Sequence, residues 1–106
     1  MMDTIRGLYD THLAADYPLG LPEDAEIDGV SLILLDADIA GLAQSFLETD
    51  GELRPDQWFI LRECLADTRT VLPHLKQDEW VYFARLHALA QALLRAAPDA
   101  PPSQGA

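Results

Sequence analysis

The sequence predicts an all-α protein: a small antiparallel, up-down bundle of three to four helices with a disordered C-terminal tail. Three observations carry this. Apolar residues recur at alternating spacings of 3 and 4 along three long segments, the signature of helices that each bury one face. Pro18, Pro22, Pro55, Pro73 and Pro98 fall at the ends of the helical segments, where they punctuate rather than interrupt. The 106 residues, 49% of them hydrophobic, suffice for one core in one domain, residues 1–97.

Residues 3–15 read as a short amphipathic helix with Ile5, Leu8, Tyr9, His12 and Leu13 at helical spacing, weakened by Gly7. It is expected to be a partial fourth member of the bundle. Residues 16–28 hold Pro18, Gly20 and Pro22 and read as a loop. In residues 29–49, Leu32, Leu35, Ile39, Leu42 and Phe46 form one stripe, with Asp28 as the expected N-cap and Gly51 as the expected left-handed stop. A buried strand over Val30–Leu35 is the competing reading of its start.

Residues 55–75 open on Pro55, which suits the first helical position, and repeat Trp58, Leu61, Leu65, Thr68, Leu72 and Leu75. Pro73 should end or kink this helix. Residues 78–97 form the last helix, opened by Asp78 and Glu79, with Phe83, Leu86, Ala90, Leu93 and Ala97 as its stripe. Tyr82, Leu89 and Leu94 widen that arc, so this helix is expected to be the most buried; in the alternative of a self-associating subunit the same arc meets a second copy. Short connections make successive helices antiparallel neighbours. Residues 98–106 (PDAPPSQGA) carry three prolines and no apolar anchor and read as a disordered tail.

Charge is unevenly distributed. Residues 1–53 hold twelve acidic residues and the single base Arg6; residues 54–106 hold six of each sign, so the net charge of −11 lies in the first half. Such a surface disfavours direct binding to nucleic acid or anionic membranes, which need Lys and Arg to displace counterions. The longest apolar run, Leu32–Leu35, is far short of the ~20 residues that span a bilayer. No basic segment followed by an apolar run opens the chain, so no secretory signal is read, and one cysteine precludes an internal disulfide. The expected setting is cytoplasmic.

Four patterns invite a chemical reading. The segment SLILLDADIAG, residues 31–41, resembles the first motif of haloacid-dehalogenase-type phosphatases, and also the Asp-x-Asp metal site of many nucleotide-sugar glycosyltransferases. The phosphatase resemblance implies Asp36 as nucleophile and Asp38 as general acid, and either implies a divalent cation. Both families build the site on a parallel sheet that this chain does not offer, and Ala40 stands where the phosphatase pattern has Thr or Val. On a helix, Asp36 and Asp38 would lie about 200° apart and share no cation. The same residues, with Gly41, match positions 1, 3 and 6 of a calcium loop, but Ala40 and Leu47 stand where two carboxylate ligands belong.

His12, His74 and His87 are too dispersed for a zinc motif, and Cys64, one residue from Leu65, reads as a small buried hydrophobe rather than a nucleophile. Two aromatic groups open helices. Trp58 and Phe83 lie on stripes and belong to the core. Phe59 and Trp80 lie off them, as packing against the N-terminal helix or the 16–28 loop, or as exposed anchors for a partner.

The expectation from these patterns is a small acidic, non-catalytic binding protein without cofactor or metal. It would cover or modulate a basic partner protein, as immunity proteins, antitoxins and inhibitors do. Mimicry of nucleic-acid phosphates toward a nucleic-acid-binding enzyme is a variant of the same idea. The contact residues would be Glu23, Asp24, Glu26 and Asp28, extended by Asp36, Asp38 and Glu52 and anchored by Phe59 or Trp80. The alternatives are a self-associating helical scaffold subunit and a divalent-metal enzyme built on the Asp-x-Asp pair.

Overall fold

The computed structural model describes residues 2–97 and holds four α-helices and one short antiparallel ribbon. The predicted tail at 98–106 lies outside the described residues. Helix α1 spans Met2–Ala14 and is a full member of the bundle, packing against both neighbours. Ile5 and His12 are buried, whereas Leu13 is exposed: one residue past His12, it is rotated about 100° off the buried face.

The predicted loop 16–28 ends in structure. A turn closes with the Ala25 N–H donating to the Pro22 carbonyl, placing Glu23 and Asp24 at its corners. Strand β1 (Glu26–Ile27) then pairs with β2 (Val30–Ser31) in register Glu26↔Ser31 and Ile27↔Val30. Asp28 and Gly29 form the connecting turn at φ 51° and 81°, the paired positive values of a type I′ hairpin, whose twist matches the ribbon. Asp28 is therefore occupied by the turn and does not cap the next helix. Ser31 does so, its Oγ accepting from the Leu34 N–H at 3.3 Å. The helix-or-strand question at Val30–Leu35 resolves at Leu32: the two residues before it are extended, and α2 runs from Leu32 to Glu48.

Helix α2 ends in a Schellman arrangement, the Gly51 N–H donating to the Phe46 carbonyl at 2.8 Å. Asp50, not Gly51, takes the first left-handed position (φ 55°); Gly51 follows at φ 90°, where a Cβ would press within 3.3 Å of the Phe46 ring. Helix α3 spans Pro55–Val71, with Gln57 Oε1 accepting from the Arg54 N–H at its start. It stops short of the predicted Leu75. Pro73 cannot donate, and the chain tightens into a 3₁₀ turn, Leu72–His74, that still delivers Leu75 to the core. Helix α4 spans Gln77–Arg95.

Helix α4 packs against all three others. Most of its apolar arc, Tyr82, Phe83, Leu86, Leu89, Ala90 and Leu93, is buried inside the bundle, while Leu94 and Ala97 are half-buried. The arc is turned toward α1, α2 and α3. Contacts fix the alternation of direction. His12 meets Asp36 and Tyr82, Gly51 lies beside Met2, Phe46 packs edge-on against Trp58, and Thr68 meets His87. The molecule thus has a hairpin end, comprising the end of α1, the ribbon, the start of α2, the 3₁₀ turn and the start of α4. The opposite end carries Met2 and Ala97.

Candidate functional site

Two features stand out, one inside the hairpin half of the bundle and one on its surface. The first begins with a carboxylate on an otherwise apolar row. Asp36 sits four residues after Leu32 and three before Ile39, both fully buried, so it must turn inward beside them. Its two oxygens are both engaged. Oδ2 accepts from the Tyr82 hydroxyl at 2.7 Å, and Oδ1 accepts from His12 Nε2–H at 2.6 Å. One carboxylate thus ties α1, α2 and α4 together.

Burial, and then the hydrogen bond to Asp36, push the Tyr82 phenol well above its ordinary range, so it remains a donor. Tyr17, edge-on against Tyr82, is also raised, by burial and by the Asp36 charge. Two polar atoms of this cluster are buried without a partner among the described residues, His12 Nδ1 and the Tyr17 hydroxyl. A carboxylate orienting an imidazole is half of a general-base arrangement. Here the far nitrogen is sealed from solvent, so no substrate atom reaches it, and the arrangement works as a clamp.

The second feature is the surface of the hairpin end. Glu23, Asp24, Glu26 and Asp28 all lie exposed on the turn and ribbon. The fold adds Asp16, Asp78 and Glu79: a Cβ on Gly20 would lie 3.0 Å from Glu79, which shows how closely the 15–21 segment crosses the start of α4. His74 faces Asp28 at 3.5 Å across the 3₁₀ turn. Among these acids stand six exposed large apolar side chains, Leu13, Leu19, Ile33, Leu34, Trp80 and Val81. A groove of about 920 Å³ runs between residues 15–20 and the first turns of α4, floored by Tyr17 and Tyr82 and bordered by Lys76 and Arg85.

The remaining expected contact residues are dispersed. Asp36 is inside the clamp and not on an outward patch. Asp38, two residues on, faces a shallow depression between α2 and α3 with Gly41 and Ile60. The helix that begins at Leu32 keeps Asp36 and Asp38 on different faces, away from the strand-end geometry of the Asp-x-Asp families. No group of three or more His, Cys, Asp or Glu side chains among the described residues is placed to hold a metal ion. Glu52 is at the opposite end of the molecule.

Phe59 is 57% exposed and Trp80 47%, so neither packs under the N-terminal helix or the 16–28 segment. Measured from the Thr68–His87 contact, the two aromatics lie about 24 Å apart along the bundle, too far to serve one small anchor site. Sequence reasoning missed the clamp altogether. Its signal was a charged residue on the buried row of α2 and a histidine on the stripe of α1.

Cys64 is buried, and burial with the nearby carboxylates pushes its thiol up to about 12, which leaves it an inert packing group. No helix among the described residues is long and apolar enough to cross a membrane. Comparison with known protein families, with curated proteins and with solved structures finds no match to this chain.

Proposed function

We propose that the chain is a small acidic binding protein that covers or modulates a basic partner protein, in the manner of immunity proteins, antitoxins and inhibitors, with the hairpin end as its contact surface. One observation carries this reading: the densest acidic cluster and most of the exposed large apolar side chains converge on the same end. Acidic groups steer a basic partner into encounter, and apolar side chains in their midst anchor it once water is expelled. Ile33 and Leu34, exposed in the first turn of α2 directly after the ribbon, take the anchoring role in place of Phe59, together with Trp80.

The test is affinity capture from the native host at low and high salt, followed by association kinetics. A stoichiometric basic partner lost as salt rises is expected. Replacing Glu23, Asp24, Glu26 and Asp28 together by Gln or Asn should slow association about tenfold at low salt and flatten its salt dependence. An unchanged rate, or no partner at either salt, overturns the reading.

A second reading rests on a separate observation. Ile60 is exposed and lines the depression it shares with Ala37, Asp38 and Gly41. A two-fold pairing would set two such depressions face to face about Ile60. Light scattering separates this from a monomer, and a dimer dissociated by Ile60→Asp would favour it.

A further inference from the structure

We propose that Asp28 is a site of backbone modification by succinimide formation and isomerisation to isoaspartate, promoted by His74, and that Asp50, in the same Asp-Gly sequence, is protected by the fold. The chain contains two Asp-Gly steps, at 28–29 and 50–51, and both aspartates are left-handed, at φ 51° and 55°. Only the glycine amides and their surroundings differ.

At 50–51 the Gly51 N–H is held by the Phe46 carbonyl at 2.8 Å, and the glycine packs against the Phe46 ring. Its nitrogen cannot turn onto the Asp50 side chain without undoing the end of α2. At 28–29 the turn is closed by the Ile27–Val30 pair, so the Gly29 amide lies at the tip outside the ladder, with open space around the glycine. The ribbon beneath it is two residues per strand, short enough to open often. His74 Nε2 stands 3.5 Å from Asp28 Oδ2, whereas no ion pair of Asp50 is found among the described residues.

The chemistry balances without a further reactant. The Gly29 amide nitrogen attacks Asp28 Cγ and forms the ring N–C bond. The Cγ–Oδ2 bond breaks, and the oxygen leaves as water with the amide proton and the proton of a protonated His74. Water then opens the ring at either carbonyl, regenerating Asp28 or giving the β-linked isomer. The β-linked form inserts a methylene into a two-residue turn and shifts the carboxylate within the acidic surface. This inference does not depend on the proposed function.

The full chain, incubated folded at mildly acidic pH, is digested and its peptides resolved into Asp and isoAsp forms, with methylation of isoaspartyl carboxylates by an isoaspartyl methyltransferase as the independent probe. Asp28 should accumulate isoaspartate on the order of fivefold or more faster than Asp50, the factor that one retained hydrogen bond supplies. In denaturant the two sites should converge. His74→Gln, an exposed substitution, should slow Asp28 and leave Asp50 unchanged; Asp28→Glu should abolish the signal at that site. Equal rates in the folded chain, or a difference that persists in denaturant, overturn the protection argument. An unaltered Asp28 rate in the His74→Gln chain overturns the role of His74.

Discussion

The bundle contains two part-buried histidine contacts, and they are built on opposite principles. Near the hairpin end, His12 meets a carboxylate that also takes a tyrosine proton, joining three helices. Midway along α3 and α4, His87 meets only a neutral hydroxyl. The Thr68 hydroxyl spends its single proton on the Leu65 carbonyl at 2.8 Å, so the 2.6 Å contact requires His87 Nδ1 to carry the hydrogen and donate. The first cluster holds a charge and leaves two atoms unpartnered, while the second is closed and uncharged. A buried charge is costly to strand, whereas a neutral bond near the surface is cheaply replaced by water. The difference teaches that the ionic clamp, and not the neutral pair, governs the docking of α1.

The largest expected effect tests that claim directly. Asp36→Ala strands the His12 Nε2–H and the Tyr82 hydroxyl in the interior and should cost about 3 kcal/mol. Urea unfolding reads the cost, and amide exchange should quicken first in α1. A loss below about 1 kcal/mol would show that the clamp does not hold the helix. Thr68→Val, nearly the same shape, should cost only about 1 kcal/mol, because the half-buried His87 can turn its N–H toward solvent. A cost equal to that of Asp36→Ala would erase the contrast.

Acid should expose the neutral contact by a different route. Burial, and then the charge of Arg69, lower the affinity of His87 for a proton below its ordinary value of 6.5. Below that pH the unfolded chain takes up a proton that the folded chain refuses. Stability is therefore complete above about pH 6.5 and falls as pH drops toward the folded value, by at most about 1.4 kcal/mol per pH unit from this group. Unfolding curves at stepped pH, compared with a His87→Gln chain, isolate the slope; an identical slope in both chains would assign it elsewhere. The smallest effect sharpens the picture of the clamp. Tyr17→Phe removes a hydroxyl that has no partner among the described residues, and should leave stability within about 0.5 kcal/mol of the parent or raise it.

How much of this was legible in the sequence depends on the range of the interaction. The helices were, because the 3-and-4 spacing of residues such as Leu32, Leu35 and Ile39 is a local record of which face is buried. Pro73 marked the end of α3 for an equally local reason. The ribbon was half legible: Asp28-Gly29 between Ile27 and Val30 is a hairpin signal, but two residues on either side are too few for an alternating pattern. The clamp was not legible, because its partners lie 24 and 46 residues apart in the chain. Nothing local to His12 says which carboxylate it will meet. Glu23, Asp24, Glu26 and Asp28 are close together in the chain and so legible as a group, but the approach of Asp78 and Glu79 to them is a product of topology alone.

An even number of alternating helices has a practical consequence for presentation. Met2 and Ala97 share one end, and the ribbon stands at the other, a helix length of about 25 Å away. A tether joined at Met2 or Ala97 therefore leaves the ribbon and its acidic cluster pointing away from it, like the tip of a post. Coupling through Lys76, which borders the groove, would instead turn the post onto its side.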